Sequence, residues 1–200
     1  MKRQRIEQPE VRKAQILTAA ETAMGEKGYH GIRMDDVAQR AGVSKGTLYL
    51  YFKDKEDLLA GLLSGISKEY EERFASIPNL NKLPPLEKLR RIVEEVVVGM
   101  RKHRDFFAQI SMMKPEAYGK KAARALKEGF RNHLAFLSGI LAEGTAVGIF
   151  RKCDTRIAAF VLMTLGRSLT TLDADLLPLK DNPEALAGTV MDFFLKGVEA

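Results

Sequence analysis

AGVSKGTLYLYF, residues 41 to 52, follows a short segment of helical spacing, Met34–Ala41, and contains a turn at Gly42 and Val43. Ser44 is suited to begin a second helix, because its hydroxyl can accept a hydrogen bond from the amides of the first turn. Two short helices joined by a Gly-containing turn form a helix-turn-helix, whose second helix enters the DNA major groove. The stretch therefore predicts a DNA-reading element.

The polar face of this element has chemistry that suits DNA. The apolar positions that can form the core between the two helices are Val37, Ala38, Ala41, Val43, Leu48 and Phe52. Lys45, Gly46 and Thr47 lie in the first turn of the second helix, where unpaired amides and the positive helix end favour phosphates or base acceptors. Gly46 lowers helix propensity by about 1 kcal/mol relative to Ala. We interpret that glycine as allowing the backbone to approach a ligand closely.

Two tyrosines and a lysine complete the candidate surface. Tyr49 and Tyr51 carry hydroxyls that can hydrogen-bond phosphate oxygens, and their rings can pack on sugar or a thymine methyl. Lys55, at the start of the next helix, can neutralise a further phosphate. Alternatively, both tyrosines cap the small core and the lysine is a solvated charge; the stretch in isolation leaves both interpretations open.

Composition indicates a globular chain of one large or two small domains. The 200 residues are 46% hydrophobic and 29% charged, and the net charge is +6. Residues 1 to 55 hold 11 Lys/Arg against 7 Asp/Glu, which suggests that the N-terminal part faces a polyanion. The longest apolar run, residues 158 to 166, is too short for a bilayer span. One cysteine and no signal-like segment favour the cytoplasm and predict no membrane partner.

Apolar spacing is helical almost throughout, which predicts an all-α protein of about nine helices. We expect helices over Pro9–Lys27, Met34–Ala41, a third opened by Ser44, Lys55–Ser76, one after the proline break at 79 to 88, Asp105–Met113, one from after Pro115 to Glu143, one capped by Asp154, and one from Pro183 behind Asp181 or Asn182. Gly28 is expected to end the first helix, and Gly144 and Gly148 the long one.

The run ILTAAETAMGEKGYHGIRMDDVAQRAGVSKGTLYLYFKDKEDLL, residues 16 to 59, resembles the N-terminal DNA-binding domain of TetR-family transcriptional regulators. EGTAVGIFRKCD, residues 143 to 154, is similar to the family's join between its seventh and eighth helices. The resemblance implies a three-helix DNA-binding domain over residues 1 to 54 and a helical ligand-binding and dimerisation domain over residues 55 to 200. It also implies a homodimer that binds a palindromic double-stranded operator, usually as a repressor, until a small-molecule effector occupies the C-terminal domain.

Carried over to this chain, the resemblance gives Lys45, Gly46, Thr47 and Tyr49 as base-reading candidates, Tyr51 and Lys55 as phosphate contacts, and Ser44 as the cap beside them. Leu50 occupies a position that is often aromatic or polar in the family, so it is expected to touch a thymine methyl or simply to pack. Where the family places a Ser or Thr before the second helix, this chain has Ile32 and Arg33. Either Arg33 clamps a phosphate, or acidic residues in the first turn favour the helix start.

The C-terminal part is richer in Met and aromatic residues than a minimal core requires, and adaptable Met-rich surfaces suit a largely apolar effector. The expected pocket residues are Phe106, Phe107, Met112, Met113, Tyr118, Phe130, His133, Phe136, Leu137, Met163 and Arg167, with Asp173 as a further polar candidate. A plain core is the alternative for the apolar ones, and a surface or satisfied core position for the polar ones. The expected dimer seam comprises Phe160, Leu165, Leu169, Leu172, Val190, Phe193 and Phe194.

Two other functions compete with that of a ligand-controlled regulator. An enzyme is disfavoured, because the three histidines and one cysteine show no metal-ligand spacing, and no phosphate loop or nucleophile-base motif occurs. No metal and no cofactor are therefore expected. An architectural DNA-binding protein without ligand control remains the alternative, and it would show weak sequence preference and a steep salt dependence.

Overall fold

The computed structural model describes residues 9–111, 113–171 and 182–198, and within them the chain is helical, as predicted. The helices are α1 (Pro9–Gly31), α2 (Met34–Arg40), α3 (Lys45–Tyr51), α4 (Lys55–Ser76), α5 (Pro85–Lys102), α6 (Arg104–Ser111), α7 (Lys120–Ala146), α8 (Thr155–Thr171) and α9 (Pro183–Val198). Two short 3-10 segments, Leu80–Lys82 and Pro115–Tyr118, precede α5 and α7. Among the described residues, no helix combines the length and the apolar character that a bilayer crossing requires.

Side-chain caps set the helix starts that the sequence predicted. The Asp154 carboxylate accepts hydrogen bonds from the amides of Arg156 and Ile157, at 2.9 and 3.2 Å, and begins α8. The Asn182 side chain accepts from the first-turn amides of α9 at 3.0 and 3.1 Å. Gly28 has a φ of 69°, so it interrupts the helical geometry near the end of α1. The prediction that Gly28 ends the regular part of this helix is confirmed.

The long helix α7 differs from its expected end. Gly144 lies inside the helix, which continues to Ala146, and Gly148 follows it with a φ of 77°. A side chain at Gly144 would collide with the Phe150 ring and would lie 3.2 Å from Pro85 Cβ. Gly144 is therefore a close-packing position, and the prediction that it ends the helix is wrong.

The chain forms two compact units. The first contains residues up to Ile66 together with Asp105–Leu126, and the second contains Ser67–Arg104 and the residues from Lys127 onwards. The boundaries thus fall within α4 and α7, and α6 belongs to the first unit. The domain boundary at residues 54 and 55 that the resemblance implies stays a prediction about function rather than about packing.

The first unit buries its apolar side chains between α1, α2, α3, α4 and α6. Its fully buried large side chains are Ile16, Met24, Ile32, Val37, Leu48, Leu58, Leu59 and Phe106. Phe52, directly after α3, packs on Gly61 of α4 so closely that a Cβ there would lie 2.6 Å from its Cε1. This contact fixes the end of α3 against α4 within the unit.

The second unit packs α5 against α8 and α9, and its core contains Leu89, Ile92, Val97, Leu141, Ala159 and Met191. Lys88 is buried near the start of α5, and its ammonium donates to both carboxylate oxygens of Glu143 at 2.7 Å. A buried lysine needs such a partner, because removing a charge from water is costly. The pair joins α5 to the last turns of α7.

Candidate DNA-binding surface and ligand cavity

The turn between α2 and α3 has the geometry of a helix-turn-helix. Gly42 has a φ of 66°, and the Val43 amide donates to the Ala38 carbonyl at 3.0 Å. The Ser44 hydroxyl oxygen accepts from the Thr47 amide at 3.0 Å, so the predicted cap of α3 is confirmed. Cap and turn together fix the first turn of α3.

The outer face of α3 is exposed. Leu48 points into the core and is fully buried, whereas Tyr49 is 42% exposed and Leu50 is 85% exposed. Gly46 is also exposed, and the atom that a Cβ there would meet is the Ser44 hydroxyl oxygen, at 3.8 Å. Tyr51 and Thr47 are partly buried. The structure therefore presents Gly46, Tyr49 and Leu50 on one open surface.

Lys45 is paired with an acidic residue that sequence reasoning considered only as a helix-start residue. Its ammonium lies 2.9 Å from Asp35 Oδ1 and 3.0 Å from Oδ2, and both side chains are largely exposed. The hydrogen bond to Asp35 raises the pKa of Lys45, so the ammonium stays charged. The pair tethers Lys45 to the first turn of α2 while leaving it accessible.

Acidic residues in the first turn stabilise the start of α2, which has no Ser or Thr cap. The Asp36 carboxylate accepts from the Arg33 backbone amide at 3.1 Å, and Asp35 also lies in the first turn. Negative charge at this position is favourable because the amide dipoles make the helix N-terminus positive. The Arg33 side chain is exposed, and its role as a phosphate clamp stays a prediction.

Lys55 makes contacts inside the first unit. Its ammonium lies 4.7 Å from the centroid of the Tyr29 ring and donates to the Ile32 carbonyl at 3.3 Å. These contacts hold the turn between α1 and α2 against the start of α4. A phosphate contact by Lys55 stays a prediction, and it would have to be made from this tethered position.

The second unit contains a cavity of about 660 Å³ between the second half of α4, the turn after it and the middle of α7. Its apolar lining comprises Phe74, Ala75, Ile77, Leu80 and Phe136. Its polar and charged lining comprises Ser67, Glu71, Asn79, Asn81, Lys82, Asn132 and His133. A site of this size, with an apolar wall and a few polar groups, is typical of small-molecule binding.

An aromatic cluster forms one wall of this cavity. Phe74 and Phe136 stack with their ring centroids 5.3 Å apart and their planes 7° from parallel. His133 packs edge-on against Phe74 at 5.3 Å and against Tyr70 at 5.1 Å. The Nε2 atom of His133 and the hydroxyl of Tyr70 are buried without a hydrogen-bond partner among the described residues.

Only part of the predicted pocket set lines this cavity. His133 and Phe136 do. Phe106, Phe107, Met113 and Tyr118 belong to the first unit, where Phe106 is buried and the Tyr118 hydroxyl donates to the Ile110 carbonyl at 2.6 Å. Leu137 is core, Phe130 packs edge-on against Phe160 at 6.1 Å, Met163 is partly buried, and Arg167 is exposed. Met112 and Asp173 lie outside the described residues.

Sequence reasoning missed most of the cavity lining, because it interpreted NLNK, residues 79 to 82, only as a break between helices. Asn79 has a left-handed backbone with a φ of 55°, and Asn79, Asn81 and Lys82 all line the cavity. Two asparagines and a lysine next to a helix end were the available signal. Phe74, in the last turn of α4, and Ile77, directly after the helix, have the spacing of ordinary core positions.

The faces expected in the dimer seam are partly open. Phe160 is 48% and Phe193 is 74% exposed, whereas Val190 and Phe194 are buried within the second unit. Two further residues of α8 that were not predicted, Ile157 and Val161, are also exposed. Leu172 and the side chain of Leu169 lie outside what the structure describes.

Comparison with known proteins agrees with this architecture. The model of bacterial regulatory proteins of the tetR family matches residues 16–62, and the tetracyclin repressor-like C-terminal domain matches residues 82–171. The chain belongs to the TetR family of transcriptional regulators. The resemblance drawn from residues 16 to 59 is thereby confirmed, as is the interpretation of the chain as a regulator rather than an enzyme.

Relatives that match along nearly the whole chain include regulators of fatty acid metabolism. The fatty acid metabolism regulator protein of Bacillus subtilis is 27% identical over 186 residues, which cover 92% of this TetR-family chain and 94% of the relative. The crystal structure of the B. subtilis regulator FadR in complex with stearoyl-CoA has a TM-score of 0.78 at 26% identity, covering 92% and 98% of the two chains. The fatty acid degradation regulator FadR of Bacillus halodurans has the same TM-score and identity, covering 96% and 97%.

Proposed function

We propose that this TetR-family protein is a homodimeric repressor that binds a palindromic operator and leaves it when a long-chain acyl-CoA binds. The observation that carries the DNA-binding part is the outer face of α3, where Tyr49 and Leu50 are exposed beside the capped first turn. An apolar side chain that is 85% exposed on a short helix contributes little to folding. Contact with a thymine methyl in the major groove gives it a function.

The outer face of α3 supports recognition of particular bases more than non-specific binding to phosphates. The exposed carboxylate of Asp35 pairs with Lys45 and offsets part of its positive charge, which weakens non-specific attraction to phosphates at this end of α3. The exposed Gly46 leaves room for the backbone to approach bases. This arrangement favours a sequence-specific regulator over an architectural protein, whose affinity would come mainly from phosphate contacts.

Two observations support the proposed effector class, one from the relatives and one from the cavity. The B. subtilis regulator solved with stearoyl-CoA resembles this chain over nearly its full length. The cavity in the second unit offers an apolar wall of Phe74, Ile77, Leu80 and Phe136 next to the cationic side chain of Lys82. An acyl-CoA combines an apolar chain with anionic phosphates, so its two ends match these two kinds of surface.

For the effector to release DNA, binding of the effector and binding of DNA must weaken each other. Helix α4 begins at Lys55, next to α3, and ends at Ser76, beside the cavity, so it contributes residues to both units. A shift of α4 on effector binding would change the distance between the two heads of a dimer, which must match half-sites about 34–36 Å apart. By linkage, DNA must weaken effector binding by the same factor.

Selection of bound sequences from a random DNA pool tests the DNA-binding part. We expect a palindrome with two half-sites to be enriched, and we expect added stearoyl-CoA to reduce recovery of that palindrome. Coenzyme A alone is the matched control, because it carries the phosphates without the acyl chain. Recovery of random sequences with a steep salt dependence would instead support the architectural alternative.

A further inference from the structure

Helices α4 and α7 are joined by hydrogen bonds in the first unit, shortly after the helix-turn-helix. The Lys121 amide, in the first turn of α7, donates to Glu56 Oε1 at 2.6 Å, and the Lys121 ammonium donates to Asp57 Oδ1 at 3.0 Å. Gly119 precedes α7 with a φ of 79°, and a Cβ there would collide with the Glu56 carboxyl group. We call Glu56, Asp57 and Lys121 the α4–α7 joint.

The joint also bonds to the turn that follows α3. Asp57 Oδ2 accepts a hydrogen bond from the Lys53 amide at 3.1 Å, and Lys53 comes directly after Phe52, the C-cap of α3. The bonds from Lys121 and from the Lys53 amide hold the pKa of the Asp57 carboxyl below its ordinary value. One carboxylate therefore connects the end of α3 with the start of α7.

The same two helices meet again in the second unit, at the cavity. A Cβ at Gly129 of α7 would lie 3.1 Å from Ser67 Oγ of α4, so the helices pack closely there. Ser67 lines the cavity, and farther along the two helices Phe74 of α4 and Phe136 of α7 form part of its apolar wall. A ligand in this cavity contacts both helices, so its binding can change their spacing at this end.

The joint, the close packing and the cavity follow one another in the same order along α4 and α7. Packed helices respond to a ligand by shifting about 1–2 Å as whole elements, because their internal hydrogen bonds keep each helix intact. The bond from the Lys121 amide to Glu56 is strong, because a carboxylate accepts it at a positive helix N-terminus. The pair of Asp57 and Lys121 is partly exposed and therefore weaker.

We propose that the α4–α7 joint transmits effector binding to α3, so that α7 acts as a second lever beside α4. Displacement of α7 by an acyl-CoA in the cavity shifts Glu56 and Asp57, and Asp57 shifts the turn after α3 through the Lys53 amide. This inference rests on the proposed function, and it adds the contacts through which the effector acts on the DNA-binding helix. Regulation through α4 alone would not need the joint.

Operator affinity of the full chain, measured by fluorescence anisotropy with and without saturating stearoyl-CoA, tests the inference. Glu56→Ala combined with Lys121→Met removes the joint, and Met has nearly the helix propensity of Lys. Without effector, we expect this double variant to bind the operator within about twofold of the wild-type affinity, whereas the factor by which stearoyl-CoA weakens binding should fall by about threefold or more.

Three single variants complete the experiment. Lys120→Met is the matched control, because Lys120 is exposed on the adjacent residue and has no ion pair in the described part of the chain; it should keep the wild-type factor. Glu56→Gln retains an oxygen that can accept from the Lys121 amide, so it should retain most of the factor. Lys121→Met alone removes only the exposed pair, so it should fold like the wild type and lose part of the factor.

Isothermal titration with stearoyl-CoA and thermal melts show whether the double variant still binds the effector and folds. If it does both and stearoyl-CoA weakens its operator binding as strongly as in the wild type, the role of the joint is overturned while the proposed function stands. Loss of operator binding by the folded double variant without effector would also overturn it, because the joint would then belong to the DNA-binding fold itself. If stearoyl-CoA does not weaken operator binding of the wild-type protein, the proposed function fails together with the joint.

Discussion

At Leu50, a proposed role in DNA recognition can be tested separately from a role in folding. It is 85% exposed on α3, so its side chain makes little contribution to the core. Substitution to Ala should change the free energy of unfolding by no more than about 0.5 kcal/mol. Operator affinity, in contrast, should fall by about three- to tenfold, because an apolar contact to a base is lost.

Fluorescence anisotropy with a labelled operator measures the effect of Leu50→Ala. Val147→Ala is the matched control, because Val147 is also an exposed apolar residue, at 64%, but lies in the turn between α7 and α8. We expect this control to bind DNA like the wild type. If Leu50→Ala and the wild-type protein have equal operator affinities, Leu50 does not contribute to DNA binding.

His133 also predicts a pH dependence of stability. Because burial lowers its pKa below 6.5 in the folded protein, the unfolded chain binds more protons as the pH falls through 6.5. The free energy of unfolding should therefore decrease as the pH falls below about 6.5, and the decrease caused by His133 should level off below its pKa in the folded protein. Thermal melts between pH 7.5 and about pH 5 should show a shallower decline for His133→Phe than for the wild type. Parallel declines would contradict the burial of this group.

At the scale of elements, α7 shows how the same residue type has opposite roles within one helix. A Cβ at Gly139 would meet no other described segment within 4 Å, whereas a Cβ at Gly144 would collide with Phe150. Gly139→Ala should stabilise the protein by about 0.5–1 kcal/mol, since Ala loses less backbone entropy in a helix. Gly144→Ala should destabilise it by about 1–3 kcal/mol through overpacking.

Chemical denaturation of the two glycine variants gives both free energies under the same conditions. The comparison is internally controlled, because helix propensity contributes the same favourable amount at both positions. A stabilised Gly144→Ala variant would show that the packing of α7 on the segment around Phe150 is looser than described.

Helix starts were predictable because they depend on local chemistry. At three helix starts, the amides of the first turn donate hydrogen bonds to the side chains of Ser44, Asp154 and Asn182. Such bonds join residues that are close in sequence. The partners of a helix face are not encoded so locally. Phe106 and Phe136 are both aromatic residues on helices, yet one fills the core of the first unit and the other lines the cavity of the second. The sequence therefore predicted the helices and the turn and cap that precede α3, but only part of the cavity lining.

At the scale of the whole molecule, the exposed apolar side chains of α8 and α9 call for a partner. Ile157, Phe160, Val161 and Phe193 are between 43% and 74% exposed in the isolated chain. Regulators of the TetR family act as dimers, and burial of a large aromatic side chain contributes about 1.5–3 kcal/mol per chain. Phe193→Glu should therefore shift the dimer to monomer at micromolar concentration.

Sedimentation velocity and operator binding should report the Phe193→Glu effect together. A monomer carries one helix-turn-helix and cannot contact two half-sites together, so its operator affinity should fall by at least a hundredfold. Lys196→Ala, also exposed on α9, is the control and should remain dimeric. A Phe193→Glu protein that remains a dimer and binds the operator normally would place the interface elsewhere.

Opposition between operator and acyl-CoA is the property on which the proposed regulation depends. It is measured as the operator affinity of the full-length protein in the absence and presence of saturating stearoyl-CoA, with coenzyme A and stearate as matched controls. We expect stearoyl-CoA to weaken operator binding by about five- to 150-fold, the usual range of allosteric coupling, and neither control to reach that effect. Operator affinity that is unchanged at saturating stearoyl-CoA, shown to be bound by titration, would contradict the proposed regulation.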